Sequence, residues 1–189
     1  MLDRLRGRLK TYFWEIGKAF ATLGLSPTGW TSVGLVVSFI CAAAYWTAGQ
    51  RGELTAGLLI LLAGFLDIVD GAVARFTERM SKRGAFLDST LDRVSEVAIF
   101  LGILAGGLAS PVAVVLALSF SLLVSYSRAR GESLGTSLSG VGIGERSERL
   151  LVLAVSSILG LVGWGVVLVA VLALFTFLER TARGAMSLK

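Results

Sequence analysis

Four aspartates set inside apolar sequence constrain this chain more than any other feature. They stand in Asp67-Ile-Val-Asp70-Gly71-Ala-Val-Ala74-Arg75 and, eight residues later, in Gly84-Ala-Phe-Leu-Asp88-Ser-Thr-Leu-Asp92. The surrounding apolar segments, residues 54–76 and 84–106, are each long enough to cross a bilayer. An ionised Asp near the middle of a spanning helix costs roughly 2.5–3.5 kcal/mol on insertion scales. Four such groups together also repel one another. The arrangement therefore calls for cations, and metal ions are the simplest.

The spacing agrees. Asp67 and Asp70 are three apart and Asp88 and Asp92 four apart, so each pair shares one face of a helix. If the first helix ends near Phe76 and the second begins near Gly84, Asp67 and Asp92 lie about 13 Å and about 12 Å inside. The hairpin thus brings the pairs to one depth. Hard carboxylate oxygens without Cys or His suit Mg²⁺ or Mn²⁺. The competing reading pairs the acids with Arg75 and Arg93, which would neutralise only two of the four.

This stretch resembles the signature of the CDP-alcohol phosphotransferases, Asp-x2-Asp-Gly-x2-Ala-Arg-x8-Gly-x3-Asp-x3-Asp, at every fixed position. The resemblance implies an integral membrane enzyme that moves a phosphatidyl-type group from a CDP-activated lipid to an alcohol and releases CMP. It also implies two metal ions held by Asp67, Asp70, Asp88 and Asp92, with Asp92 as proton acceptor. Gly71, Ala74 and Gly84 would admit the cytidine, although ordinary helix packing explains such small residues equally well. Arg75, at the membrane surface, could reach a diphosphate oxygen. Ser26 and Pro27 suit a helix start. In the family a Pro and a Thr, here Pro27 and Thr31, often lie beside the nucleotide.

The chain has 189 residues, 54% of them hydrophobic, and a mean hydropathy of +0.78. That excludes an ordinary soluble domain. The expected fold class is all-α: six transmembrane helices, near residues 28–48, 54–76, 84–106, 111–127, 150–163 and 164–177, with the last turn at 160–165. Residues 1–25, where Leu2, Leu5, Leu9, Tyr12, Phe13, Ile16 and Phe20 recur at helical spacing, are expected to form an interfacial amphipathic helix. Residues 26–183 form the membrane domain. Of 18 Lys and Arg, only Arg51 falls in a loop on one side. The positive-inside rule then places the acids' end and both termini in the cytoplasm of a multi-pass cell-membrane protein. The net charge of +5 follows that bias, and no nucleic-acid partner is expected. Cys41 is alone, so no intrachain disulfide forms, and with no His present a proton acceptor must be an Asp or Glu. Gly102 and Gly106 make a GxxxG pattern that suggests a homodimer face.

Two further stretches, Ser125-Tyr-Ser-Arg128-Ala-Arg130 and Gly142-Ile-Gly-Glu145-Arg146-Ser-Glu148-Arg149, resemble the phosphatidylinositol-phosphate and archaetidylinositol-phosphate synthases. There the basic positions hold the acceptor's phosphate. The resemblance assigns that role to Ser125, Arg128, Arg146 and Arg180, with Arg183 as fallback. Lys often replaces Arg128 in that group, and Glu179 stands where many have Gln. Positive-inside topology alone also explains arginines here. The implied substrates are CDP-diacylglycerol or CDP-archaeol, and inositol 1-phosphate. Glycerol 3-phosphate or serine as acceptor is the alternative. A cation transporter is the remote one, with no second acidic half to support it.

Overall fold

The computed structural model describes residues 2–188, with side chains from Tyr12 onward. The chain runs through α1 (Leu2–Ala21), α2 (Pro27–Ala48), a 3₁₀ turn (Gly49–Gly52), α3 (Glu53–Phe76), α4 (Lys82–Ala105), α5 (Pro111–Ser133), α6 (Arg146–Ile158) and α7 (Val162–Ser187). No strand occurs among the described residues. Local chemistry sets the boundaries. Ser26 accepts a hydrogen bond from Gly29 N at 3.1 Å and Pro27 occupies the first turn of α2. Ser81 caps α4 in the same way through Gly84 N at 3.0 Å. Glu145 and Glu148 form a reciprocal capping box that starts α6. Buried Glu53, at the start of α3, accepts from Val162 N at 3.1 Å and satisfies an otherwise unpaired donor at the start of α7.

Three segments are long and apolar enough to cross a membrane: Pro27–Phe76, which holds two helices, Pro111–Ser133 and Val162–Ser187. Their outward residues, among them Val36, Phe39, Leu58, Val115 and Leu168, are exposed. Helix α4 carries Asp88, Asp92, Arg93 and Glu96, and α6 has only 13 residues. Neither therefore scores as a span on composition and length alone. The last turn also differs from expectation. It falls at residues 159–161, where Gly160 takes φ +70°. Gly163 and Gly165 lie inside α7, where a Cβ at Gly163 would come 2.8 Å from the Leu108 carbonyl oxygen. They permit close packing rather than a turn.

Helix α3 is central. It packs against α2, α1 and α6, while α7 lies on α5 and α6. One buried cluster centres on Tyr45, Ile60, Phe100, Leu153 and Val166. A second, around Trp30, Leu66 and Val73, receives Ile16 and Phe20 from α1. The expected stripe at Leu2, Leu5 and Leu9 lies outside the described side chains. The rest of α1 docks on α3: Trp14 meets Phe76 edge-on at 4.8 Å, and a Cβ on Gly17 would lie 2.6 Å from the Ala72 carbonyl oxygen. The Gly102–Gly106 face is not free for a second copy. Gly102 is pressed against Ala42, where a Cβ would sit 2.6 Å from the carbonyl oxygen, and Gly106 meets the Tyr45 carbonyl. Both glycines serve α2–α4 contact within the chain.

Candidate active site

The α3–α4 hairpin brings the aspartates together. One carboxylate oxygen each from Asp67, Asp70 and Asp88 lies within 4.8 Å of the others. Thr31, on α2, donates to Asp70 Oδ2 at 2.9 Å. Asp88 Oδ1 is buried with no hydrogen-bond partner. Three hard oxygen ligands, converging and incompletely satisfied, fit a divalent cation such as Mg²⁺ or Mn²⁺. Asp92 stands outside this trio. Its Oδ1 is 2.8 Å from Arg146 Nη1, and its Oδ2 is 3.3 Å from Arg93 Nη1. The same Arg146 nitrogen lies 3.1 Å from Asp67 Oδ1, so Asp67 and Asp92 reach one level as the hairpin depth requires. The cations beside the acids are therefore Arg146 and Arg93. Arg75 instead lies over the Phe13 ring at 5.4 Å and against Gly71.

Two clefts open from the acids. The first, with about 720 Å³ of open space, is lined by Pro27, Thr31, Asp70, Gly71, Ala74, Arg75, Gly84 and Asp88, and also by Arg79. The second, with about 600 Å³, is lined by Asp67, Asp92, Ser125, Arg128, Arg146 and Arg180. Each helix of the hairpin thus turns one acid toward each cleft, Asp70 and Asp88 to one, Asp67 and Asp92 to the other. That is what spacings of three and four on neighbouring helices allow when the ligands fan slightly apart.

The basic residues differ in freedom. Arg128 is half-exposed and donates to Glu132 at 2.9 Å. Ser125 Oγ donates to the Ser121 carbonyl at 3.2 Å. Arg180 is buried. Its Nε reaches the Val141 carbonyl at 2.9 Å, Nη1 the Val124 carbonyl at 3.1 Å, and Nη2 Glu145 Oε1 at 2.8 Å. It fastens the residue 134–145 loop to α7 at the wall of the second cleft. Thr176, one turn earlier, accepts from Gly144 N at 2.9 Å. Arg183 pairs with Glu179 at 2.6 Å on the exposed side, so the cleft takes Arg180 rather than the fallback.

Sequence reasoning missed Arg79, Glu145 and above all the pair Glu96–Arg149. Arg149 Nε and Nη2 grip the Glu96 carboxylate at 2.9 and 3.0 Å, and Nη1 donates to the Gly144 carbonyl at 2.6 Å. Both side chains are essentially inaccessible, 0% and 1%. The signal was present. Glu96 follows Asp92 by four on α4 and Arg149 follows Arg146 by three on α6, so a second rung lies one turn below the first.

A helix bundle that gathers hard carboxylate oxygens where two clefts meet, one edged by small residues and one by arginines, has the build of a metal-assisted group-transfer enzyme. Residues 26–178 match the CDP-alcohol phosphatidyltransferase family. The chain belongs to that family and is an enzyme of this transferase class. It is 39% identical over 180 residues to the archaetidylinositol phosphate synthase of Pyrococcus horikoshii, spanning 95% of this chain and 94% of that one. It is similar to the structure of Mycobacterium tuberculosis phosphatidylinositol phosphate synthase with CDP-DAG bound, at TM-score 0.77 and 27% identity, over 91% of this chain and 92% of that one. The same enzyme in complex with manganese and citrate gives TM-score 0.79 and 26% identity, over 91% and 88% of the two chains.

Proposed function

We propose that the protein transfers a phosphatidyl or archaetidyl group from CDP-diacylglycerol or CDP-archaeol to inositol 1-phosphate and releases CMP. The observation that carries this reading is the pair of clefts meeting at the acids, one edged by small residues, the other rich in arginine. The donor's cytidine occupies the first cleft, where Gly71, Ala74 and Gly84 leave room beside Pro27 and Thr31, and Arg75 faces its diphosphate. The acceptor's phosphate occupies the second, held by Arg128 and Arg146 with Ser125, over a wall that Arg180 builds.

Chemistry then falls at the boundary. The acceptor hydroxyl oxygen attacks the lipid-side phosphorus, the bond from that phosphorus to the CMP oxygen breaks, and the hydroxyl proton passes to Asp92. Asp92 opens onto the acceptor cleft and is the acid that stands apart from the close trio. Two Mg²⁺ or Mn²⁺ ions on Asp67, Asp70, Asp88 and Asp92 would neutralise charge on the diphosphate and the departing CMP. Thr31 keeps Asp70 oriented toward the donor side.

In the same reading α2 to α7 are six spans, α1 lies at the cytoplasmic interface, and the clefts open to the cytoplasm, where the basic loops gather. Residues 1–25 and 26–183 remain the division of the chain, and the enzyme works as a homodimer through a surface other than Gly102 and Gly106. The test is CMP release by purified protein with CDP-lipid, Mg²⁺ and a panel of acceptors. Release with inositol 1-phosphate but not with free inositol or serine is expected. Equal release with the neutral acceptors would overturn the assignment.

A further inference from the structure

Arg146 stands on the wall between the acids and the basic cleft, and its bonding is lopsided. A single nitrogen, Nη1, serves both Asp92 at 2.8 Å and Asp67 at 3.1 Å. Its Nε is buried and has no acceptor. Arg149, one turn along the same helix, is the opposite case. All three of its nitrogens are engaged, by Glu96 and the Gly144 carbonyl. The two arginines therefore form an upper rung with a donor unspent and a lower rung that is closed.

We propose that Arg146 is an exchangeable counter-ion: it holds Asp67 and Asp92 in the arrangement seen here, and a tetrahedral dianion in the basic cleft draws it off them. Anion binding in that cleft and divalent-cation binding on the acids then reinforce each other. The inference rests on the reading of the basic cleft as the site of the acceptor's phosphate.

The exchange is favoured by chemistry on both sides. A guanidinium is a planar fork that matches paired oxygens, and a phosphate supplies them to Nε and an Nη together. Two carboxylates reached through one nitrogen use only a corner of that fork. The backbone need not move. Arg146 opens α6 inside a reciprocal capping box, and the Glu96–Arg149 pair fixes the next turn to α4. Rotation of the Arg146 side chain is enough. Once it turns, Asp67 has lost its partner and Asp92 keeps only Arg93. The acids then attract a divalent cation more strongly, and Asp92 faces the acceptor hydroxyl unshielded. Linkage makes the effect reciprocal: a cation on the acids releases Arg146 for the phosphate.

Purified full-length protein in detergent is titrated with Mn²⁺, and free Mn²⁺ is read by electron paramagnetic resonance. Sodium sulfate provides the dianion, and sodium chloride of equal ionic strength is the reference. For the unaltered protein, sulfate should tighten Mn²⁺ binding about tenfold, within the range usual for coupled sites. In Arg146→Gln, Mn²⁺ should bind more tightly in chloride than it does to the unaltered protein, and sulfate should change its affinity less than about twofold. Arg146→Lys keeps the charge without the fork, and its sulfate effect should stay below about threefold. Arg183→Gln removes a positive charge outside the cleft and should keep the full sulfate effect. Equal Mn²⁺ affinity in both salts for the unaltered protein would overturn the proposal. So would a full effect surviving in Arg146→Gln or Arg146→Lys, which indicates direct pairing of the two ions, or a loss in Arg183→Gln, which indicates general charge. The titration contains no CDP-lipid and no alcohol. A different phosphorylated alcohol as acceptor leaves its outcome intact, whereas transfer to inositol 1-phosphate without a sulfate effect refutes the exchange alone.

Discussion

The Glu96–Arg149 pair should be among the most costly side-chain contacts to break in this protein. Both groups are removed from water, and the carboxylate receives contacts of 2.7 to 3.0 Å from the guanidinium. Glu96→Leu leaves a buried guanidinium whose remaining hydrogen bond is to the Gly144 carbonyl. Arg149→Met leaves a buried carboxylate. Breaking such a pair from one side costs about 3–5 kcal/mol, because the surviving charge keeps its desolvation penalty. For a chain of this length that is an apparent Tm lower by roughly 10 °C. The two substitutions together remove both charges and leave apolar side chains of similar bulk. The double variant should recover more than half of either loss. Thermal unfolding in detergent, with all four proteins in one buffer, measures this. Single variants within about 2 °C of the unaltered protein, or losses that simply add in the double variant, would refute the claim that the two charges are held by each other.

Three further outcomes follow from the same geometry. Asp92→Asn should lower turnover about 10² to 10⁴-fold, the span of general-base catalysis, while the KM for CDP-lipid stays within about threefold; loss of CDP-lipid binding would show that Asp92 serves chiefly to hold metal and donor rather than to take the proton. Arg146→Gln should raise the KM for inositol 1-phosphate roughly ten- to a hundredfold, the worth of one charge-assisted hydrogen bond, and leave that for CDP-lipid nearly unchanged; steady-state kinetics with each substrate varied in turn checks it. Glu78 takes φ +55° where α3 ends, with Arg79 N bonded back to the Ala74 carbonyl at 3.1 Å; Glu78→Gly removes that strain and should raise the apparent Tm by about 2–4 °C, whereas a lower Tm would show that its side chain holds the hairpin.

Much of the site was legible in the sequence because it depends on helical periodicity. The spacings of Asp67 with Asp70 and of Asp88 with Asp92 determine a shared face, and a tight hairpin determines a shared depth. The helix starts were readable for a similar reason, since Ser26 with Pro27 acts on its own first turn. What was hidden depends on which helix comes to lie alongside. Gly102 and Gly106 show a small-residue face, but nothing local says that α2 rather than a second chain fills it. Gly160, Gly163 and Gly165 look alike in sequence; only the approach of Leu108 and Ser156 separates the turn from the two packing positions. Arg180 lines the same cleft as Arg128 and Arg146, yet its three partners include two carbonyls from other segments, which no side-chain pattern announces. Glu96 and Arg149 were skipped because each looks like one more charge beside a chemically louder neighbour.

The central claim is that the two clefts hold the two substrates on opposite sides of one acid cluster. The most direct measurement is an experimental structure of Asp92→Asn, slowed in turnover, with CDP-lipid, Mn²⁺ and inositol 1-phosphate. The account predicts cytidine against Gly71, Ala74 and Gly84, with the diphosphate and Mn²⁺ at Asp67, Asp70 and Asp88. It predicts the acceptor's phosphate at Arg128 and Arg146, with its reacting hydroxyl beside residue 92. Cytidine in the arginine cleft, or a diphosphate that does not meet the aspartates, would contradict it.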